Sequence, residues 1–467
     1  MKRKPTLVEA MIPLAAIVVF LGVGYGYLRL EPEILLIAGA TVAGLVARRL
    51  GYTYKEILAG VVEMITKGMP AMLIIICVGA LIGSWIAAGT TPMLIYYGLK
   101  IISPASFLVT SCILCSIVSV LTGTSWGTIG TMGIALIGIA EGLGIPPGQA
   151  AGAIVAGAYF GDKLSPFSDT TNLASMAARS NLFDHIRHML WTTVPSWLLG
   201  LVVYFLIGLF SHAGAEFAST ERINVMSAVL RSTFAFNPFL LLPVAITLYC
   251  AVRQKPVVPS LLLSAAAAAV LAIVCQGSAV REAVNSLVVG YLPETGDVGV
   301  DELLARGGLR SMMTPTLMAI CAFSFGGIMQ STGMLGVLLE KLLKYARTTG
   351  QLIASTVACC VLTAAMTGEG YLSILIPGEL FAPAFRKRNL AAKNLSRTTE
   401  DSGTVVIPLI PWSMSAVYVA GTLHVKTFDY LPWAIMCYTG MFFALFYGFT
   451  GIAVAPRTRD DETAPGS

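Results

Sequence analysis

Charge is what this sequence has least of. Asp, Glu, Lys and Arg make up 12% of its 467 residues, against 56% hydrophobic; ordinary soluble domains carry roughly 25% charged residues. That scarcity excludes an ordinary soluble domain. No nucleic-acid partner is expected at a net charge of only +5. Strand-like alternation is also missing, which excludes a membrane β-barrel. There is no HExxH and no P-loop, and the GxSxG spacing of GTSWG (123–127) lies between apolar helical runs and not on the strand-to-helix turn of a nucleophile elbow, so neither an enzyme nor a cofactor is expected. The four histidines lack zinc spacing beyond His185-x-x-His188, and beside Arg187 those two read as an interfacial helix end. All nine cysteines lie in apolar runs, where a thiol behaves as a small hydrophobe; Cys112-x-x-Cys115 is read the same way.

What is present is oil. Apolar runs recur at 10–28, 72–89, 197–210 and 441–455. Some 20 apolar residues cross a hydrocarbon core of ~30 Å, and the chain offers roughly ten to twelve such spans. Only helices or closed barrels satisfy the backbone in lipid. The fold class is therefore an all-α polytopic membrane protein. Lys2, Arg3 and Lys4 precede the first span, and Arg48, Arg49 and Lys55 follow the second. The positive-inside rule puts both segments in the cytoplasm. No small-residue cleavage site follows the first run, which is read as a retained span.

Two stretches read alike. SIVSVLTGTSWGTIGTMGIAL (116–136) precedes GDKLSPFSDTTNLA (161–174); CVLTAAMTGEGYLSILIPGEL (360–380) precedes NLSRTTEDSGTVVIPLIPW (394–412). Phe183-Asp184 and Phe428-Asp429 follow at similar distances. The linker 141–152 has no Lys or Arg whereas 385–397 is rich in both, the charge signature of two copies in opposite orientations. Inverted repeats build transporters with a midplane site between interrupted helices. The chain divides into N-terminal spans (1–56), a first repeat (57–211) with a broken helix at 122–128 and a polar break at 161–172, a connection with further spans and surface helices (212–308), a second repeat (309–455) with a broken helix at 367–371 and a polar break at 396–404, and a disordered tail (456–467).

The breaks hold the chemistry. Glycines in TGTSWGT free the backbone, and the hydroxyls of Thr124 and Ser125 make a hard-oxygen setting suited to sodium; the plainer reading is close helix packing. Glu369 sits in the equivalent turn of the second copy. Asp169 is the leading candidate, because an ionised carboxylate at membrane depth costs at least ~2.5–3.5 kcal/mol unless paired, metal-bound or protonated. Asn172 with Thr170 or Thr171 would complete an oxygen cage; alternatively Asp169 caps the helix that follows. Glu400 and Asp401 occupy the mirrored position, where adjacent acids favour one proton; the bland alternative is an exposed loop pair neutralised by Arg397. Asp162 and Lys163 are neighbours at a helix end, where the lysine either alternates with a cation for a carboxylate or snorkels. The expected ion or substrate site is Asp169, Asn172, Thr124, Ser125, Glu369, Asp401 and Thr404, with Asp162 and Glu400 in second rank. Sodium itself is assigned to Asp169, Asn172, Thr124 and Asp401.

GTSWGTIGTMGIALIGIAEGLGIPP (123–147), GAYFGDKLSPFSDTTNLA (157–174), NLFDHIRHMLWTTVP (181–195), TGEGYLSILIPGELF (367–381) and SRTTEDSGTVVIPLIPW (396–412) resemble the signature stretches of the NhaC family of Na+/H+ antiporters. The resemblance implies the ion transporter superfamily fold: scaffold and transport domains, helical hairpins, interrupted helices, elevator-type access and a homodimer. It implies exchange of Na+ for H+ in the cytoplasmic membrane, with the same carboxylates binding either ion. Some members carry malate and lactate or amino acids, so a Na+-coupled carrier of a small organic anion or amino acid is the alternative, with Ser125 and Ser402 as substrate contacts. No lone arginine interrupts an apolar run, which disfavours a dicarboxylate. A channel would need a continuous polar pore, whereas the acids cluster at two breaks.

Overall fold

The apolar runs become helices. The computed structural model describes residues 2–25, 27–211 and 220–457, with no strand among them; Leu390 and Pro456 form an isolated bridge. Seven helices of the described residues are long and apolar enough to cross a bilayer, ten if each bent pair is one span. The all-α polytopic class therefore holds, and the span count reaches the lower end of the expected range. The Tyr54–Ala87 helix is the longest, at 34 residues. Its glycines admit close neighbours: a Cβ on Gly68 would lie 1.9 Å from the Phe323 ring and one on Gly83 2.1 Å from the Ser286 carbonyl.

The two similar stretches fold through the same local devices. Helix Phe107–Thr122 ends at Gly123 (φ +67°), and helix Thr349–Thr367 ends at Gly368 (φ +68°). These positive φ angles favour glycine, and each turn is closed by the next residue: Thr124 and Glu369 cap the helices that follow. Further on, Ser168 caps helix Asp169–Ala178 and Ser413 caps helix Met414–Leu423. Those helices end at Arg179 (φ +59°) and His424 (φ +55°), both left-handed. The sequence spacing between partners is the same for Gly123 and Gly368, Ser168 and Ser413, and Arg179 and His424.

This register moves one expected break. The counterpart of Ser165-Pro166-Phe167-Ser168 is Ile410-Pro411-Trp412-Ser413, and the chain bends by 44° there. The stretch 396–404 does not interrupt the chain. It continues helix Ala392–Thr399 into a π turn, Glu400–Thr404. The expected mirrored position of Glu400 and Asp401 is thus inside a helix, and proline, which removes an N–H donor, breaks the chain after it. The turns at 122–128 and 367–371 are also tighter than expected, since helix resumes at Ser125 and at Gly370.

The connection contains helices Val257–Gln276, Val280–Val289 and Val298–Leu304. Residues 212–219 of its first expected loop lie outside the described residues. The rest of that loop is helix Thr220–Thr233, which forms a pair with 238–252 bent by 102°. Of the tail expected to be disordered, Pro456 pairs with Leu390 and the Arg457 amide donates to the Asn389 carbonyl at 2.9 Å; 458–467 lie outside the described residues. Two apolar cores meet along the segment that runs from helix Ala392–Thr399 through the π turn, where Leu395 belongs to one and Val405 to the other.

Candidate functional site

Close packing of two helices sets the site. A Cβ on Gly157 would stand 2.2 Å from the Cys112 carbonyl oxygen, and one on Gly161 2.4 Å from that of Ser116. Only glycine lets helix Pro147–Leu164 lie so close to helix Phe107–Thr122. The next residues are Asp162 and Lys163, at 4% and 0% exposure. The Gly123 turn delivers Ser125, whose hydroxyl donates to Oδ2 of Asp162 at 2.7 Å.

Lys163 does not snorkel. Its ammonium donates to Oδ1 of Asp401, and both side chains are sealed. Thr192, on helix Leu182–Ser211, donates its hydroxyl to the same oxygen at 2.9 Å. Glu400 and Asp401 are each 0% exposed, so they are not an exposed loop pair. The Thr170 hydroxyl donates to Oε1 of Glu400 at 3.2 Å. Glu400 also lies within electrostatic reach of Asp162 and Lys163. π turns are rare and gather at functional sites. Here the turn aims adjacent side chains inward.

Each sealed carboxylate has one oxygen committed and one without a hydrogen bond: Oδ1 of Asp162, Oε2 of Glu400 and Oδ2 of Asp401. The Thr404 hydroxyl lies beside Glu400. A buried polar atom left unpaired costs about 1–3 kcal/mol. Unpaired carboxylate oxygens are hard ligands of the kind that suits a small cation. No three His, Cys, Asp or Glu side chains among the described residues converge as a metal centre. A sodium ion as cargo would thus be held by at most two carboxylates, with hydroxyl and carbonyl oxygens completing its shell.

Asp169 lies at the solvent edge of this group, within electrostatic reach of Asp162. It is exposed, accepts from the Thr170 amide at 2.9 Å on Oδ1, and accepts from the Tyr371 hydroxyl on Oδ2. Ser168, rather than Asp169, caps its helix. Glu369 is half-buried and accepts from the Leu372 amide at 2.9 Å. Asn172 spends its amide on the carbonyls of Pro166 (3.0 Å) and Ser168 (2.6 Å), and Thr124 accepts from the Gly127 amide at 3.2 Å. Asp169, Asn172, Thr124 and Asp401, expected to hold sodium together, share no hydrogen bond. An inner group (Asp162, Lys163, Glu400, Asp401, Ser125, Thr404) is buried, and an outer one (Asp169, Tyr371, Glu369) reaches solvent.

Residues that the sequence reading placed at the surface complete the inner group. Arg397 is fully buried, with Nη1 donating to the Ala453 carbonyl at 2.9 Å and Nε and Nη2 unpartnered. A sealed arginine thus lies within a polar stretch and not an apolar run; its position four residues before Asp401, on the same helix face, was the available signal. His185 and His188 are buried, not interfacial. His188 faces Oδ1 of Asn394 at 3.1 Å. That oxygen can only accept, so His188 carries its hydrogen on Nε2.

A multi-pass helical protein that seals charged side chains in its core is of the class that moves ions or solutes across a membrane. The chain belongs to the Na+/H+ antiporter family, whose sequence model matches residues 157–452. It is 46% identical over 458 residues to an "uncharacterized Na+/H+ antiporter" of Haemophilus influenzae, covering 97% of this chain and 98% of that one. It is 38% identical over 455 residues to the Na+/H+ antiporter NhaC of Alkalihalophilus pseudofirmus, covering 97% and 98%. It is 36% identical over 449 residues to the malate-2H+/Na+-lactate antiporter of Bacillus subtilis, covering 96% of each. The resemblance to NhaC proteins is thereby borne out, and these relatives support a secondary antiporter.

Proposed function

We propose that this protein exchanges Na+ for H+ across the cytoplasmic membrane, with the N-terminus in the cytoplasm. The free oxygens on Asp162, Glu400 and Asp401 carry the reading. A proton or a sodium ion satisfies the same oxygens, so loading one expels the other. Ser125, Thr170 and Thr192 hold the committed oxygen of each carboxylate and so orient the free one. Lys163 and Arg397 keep the cluster from repelling itself apart. Asp169, Tyr371 and Glu369 line the approach from the outer side of the cluster. The repeated turns and caps support two copies of one unit; the loop charges are the ground for reading them as oppositely oriented, and we take them to work by elevator-type alternating access in a homodimer. The activity is transport and not catalysis, and no cofactor enters it.

The test is proton flux from liposomes holding purified protein and a pH-sensitive dye. Adding sodium to wild type collapses an imposed pH gradient, and Asp162→Asn or Glu400→Gln protein leaves the gradient standing. Collapse as fast as wild type in both variants would falsify the assignment.

Arg397 favours a second reading. A sealed guanidinium with two unpartnered nitrogens is suited to a carboxylate, and the relatives include a malate and lactate carrier. In this reading the chain is a Na+-coupled exchanger of a small organic acid or an amino acid. Uptake of labelled malate, lactate and amino acids with and without a sodium gradient separates the two readings.

A further inference from the structure

The sealed interior carries an odd charge. Among the described residues, the Asp, Glu, Lys and Arg side chains counted as buried are Glu9, Asp162, Lys163, Arg397, Glu400 and Asp401. Glu9 lies near the chain start and pairs with Arg3. The other five form one cluster. Lys163 sits on Asp401, Arg397 is within electrostatic reach of Asp401, and Glu400 is within reach of Asp162 and Lys163. The buried histidines enter as neutral rings, because neither has a carboxylate partner: His185 makes no hydrogen bond and His188 bonds Asn394.

Three carboxylates against two cations leave one negative charge in excess. The guanidinium stays protonated and is tethered to the Ala453 carbonyl. Lys163 is tied to Asp401. Unbalanced charge in a dry interior is far costlier than in water, so the cluster is stable when a single added positive charge neutralises it. Asp169 reaches Asp162 electrostatically, but it is exposed and Glu369 is half-buried; water and salt screen charge there, and the count is of the sealed charges.

Resting on the Na+/H+ reading, we propose that the cluster holds one monovalent cation at a time, that exchange through it is electrically silent, and that Lys163 is the fixed counter-charge setting this single occupancy. Arg397 contributes the second fixed charge. Each half-cycle moves a neutral cluster, loaded once.

The test uses purified full-length protein in liposomes, with radiolabelled sodium and the membrane potential set by potassium and valinomycin. The sodium flux driven by a pH gradient should not change when the potential is stepped by roughly 100 mV, and its sodium dependence should have a Hill coefficient near one. A flux that follows the potential overturns the proposal while leaving Na+/H+ exchange intact. No pH-driven sodium flux at all overturns the reading beneath it.

Compensation tests Lys163. Asp401→Asn alone leaves the cluster neutral without a cation, and sodium coupling should be lost. Lys163→Met alone leaves two charges in excess, and the Hill coefficient should rise toward two or the flux become potential-dependent. Lys163→Met/Asp401→Asn restores one excess charge and should recover silent exchange with a Hill coefficient near one. A merely structural ion pair predicts instead that stability recovers in the double variant while the Hill coefficient of any folded single variant stays at the wild-type value. A double variant that is monodisperse in detergent and yet inactive overturns the role given to Lys163. If the single variants do not fold, the double variant and the wild-type potential step still decide.

Discussion

Lys163 and Asp401 stand 238 residues apart in the chain and form an ion pair with no exposure to solvent. The pair ties the end of helix Pro147–Leu164 to the π turn Glu400–Thr404, joining the first similar stretch to the second at the place where the two apolar cores meet. Breaking a buried pair costs about 3–5 kcal/mol, because one charge is left unpaired, whereas an apolar replacement of both partners costs far less. Thermal unfolding in detergent should therefore show Lys163→Met and Asp401→Leu each strongly destabilised, with the double variant more stable than either single. Additive losses would sink the idea that the pair, and not packing, sets the cost.

Sequence reasoning ranks Asp169 above Asp162, and burial argues for the opposite order. Asp169 faces solvent beside the Tyr371 hydroxyl, while Asp162 is sealed with a free oxygen. Asp162→Asn should abolish sodium-driven proton flux. Asp169→Asn should change the apparent KM for sodium by less than about tenfold, ~1.4 kcal/mol. Equal losses in the two variants would put Asp169 back at the centre.

The paired glycine turns predict an asymmetry. Alanine at either position adopts a left-handed backbone, at a cost of order 1–3 kcal/mol. At Gly368 the nearest atom to an added Cβ is the Trp412 carbonyl oxygen at 3.3 Å, whereas at Gly123 the Phe167 carbonyl carbon lies at 2.8 Å. Gly123→Ala should thus lose more thermal stability than Gly368→Ala. It should also weaken sodium coupling, because the Gly123 turn places Ser125 on Asp162. Indistinguishable variants would refute this contact argument.

Competition for the same oxygens fixes the sign of the pH dependence. Protons occupy the carboxylates as pH falls, so the KM for sodium should rise on acidification, by up to roughly tenfold per pH unit for one competing proton, while the maximal rate at saturating sodium stays level. A KM that is flat across the range in which the rate changes would show that proton and sodium use separate sites.

Much of this was legible in the residues because its causes are local. Apolar runs long enough to span lipid determine the helices, whatever packs on them. Thr-Gly before Thr124 and before Glu369 marks both turns, since a left-handed φ is a property of one residue and glycine admits it. The acids and hydroxyls of 161–172 and 396–404 were visible as chemistry.

What escaped was partnership. Nothing in the spacing of Lys163, Thr192 and Asp401 announces that they meet, because contacts between distant segments follow from helix packing, here through Gly157 and Gly161. Polar composition at 396–404 suggested a break. The tertiary structure instead keeps Glu400 and Asp401 on a sealed helix and bends the chain at Pro411, where the donor is missing. The sequence by itself determined the helices, the turns and the kinds of side chain present. Only the tertiary structure decided which of those charges lost their water, and it is loss of water that makes a carboxylate hold on to a cation.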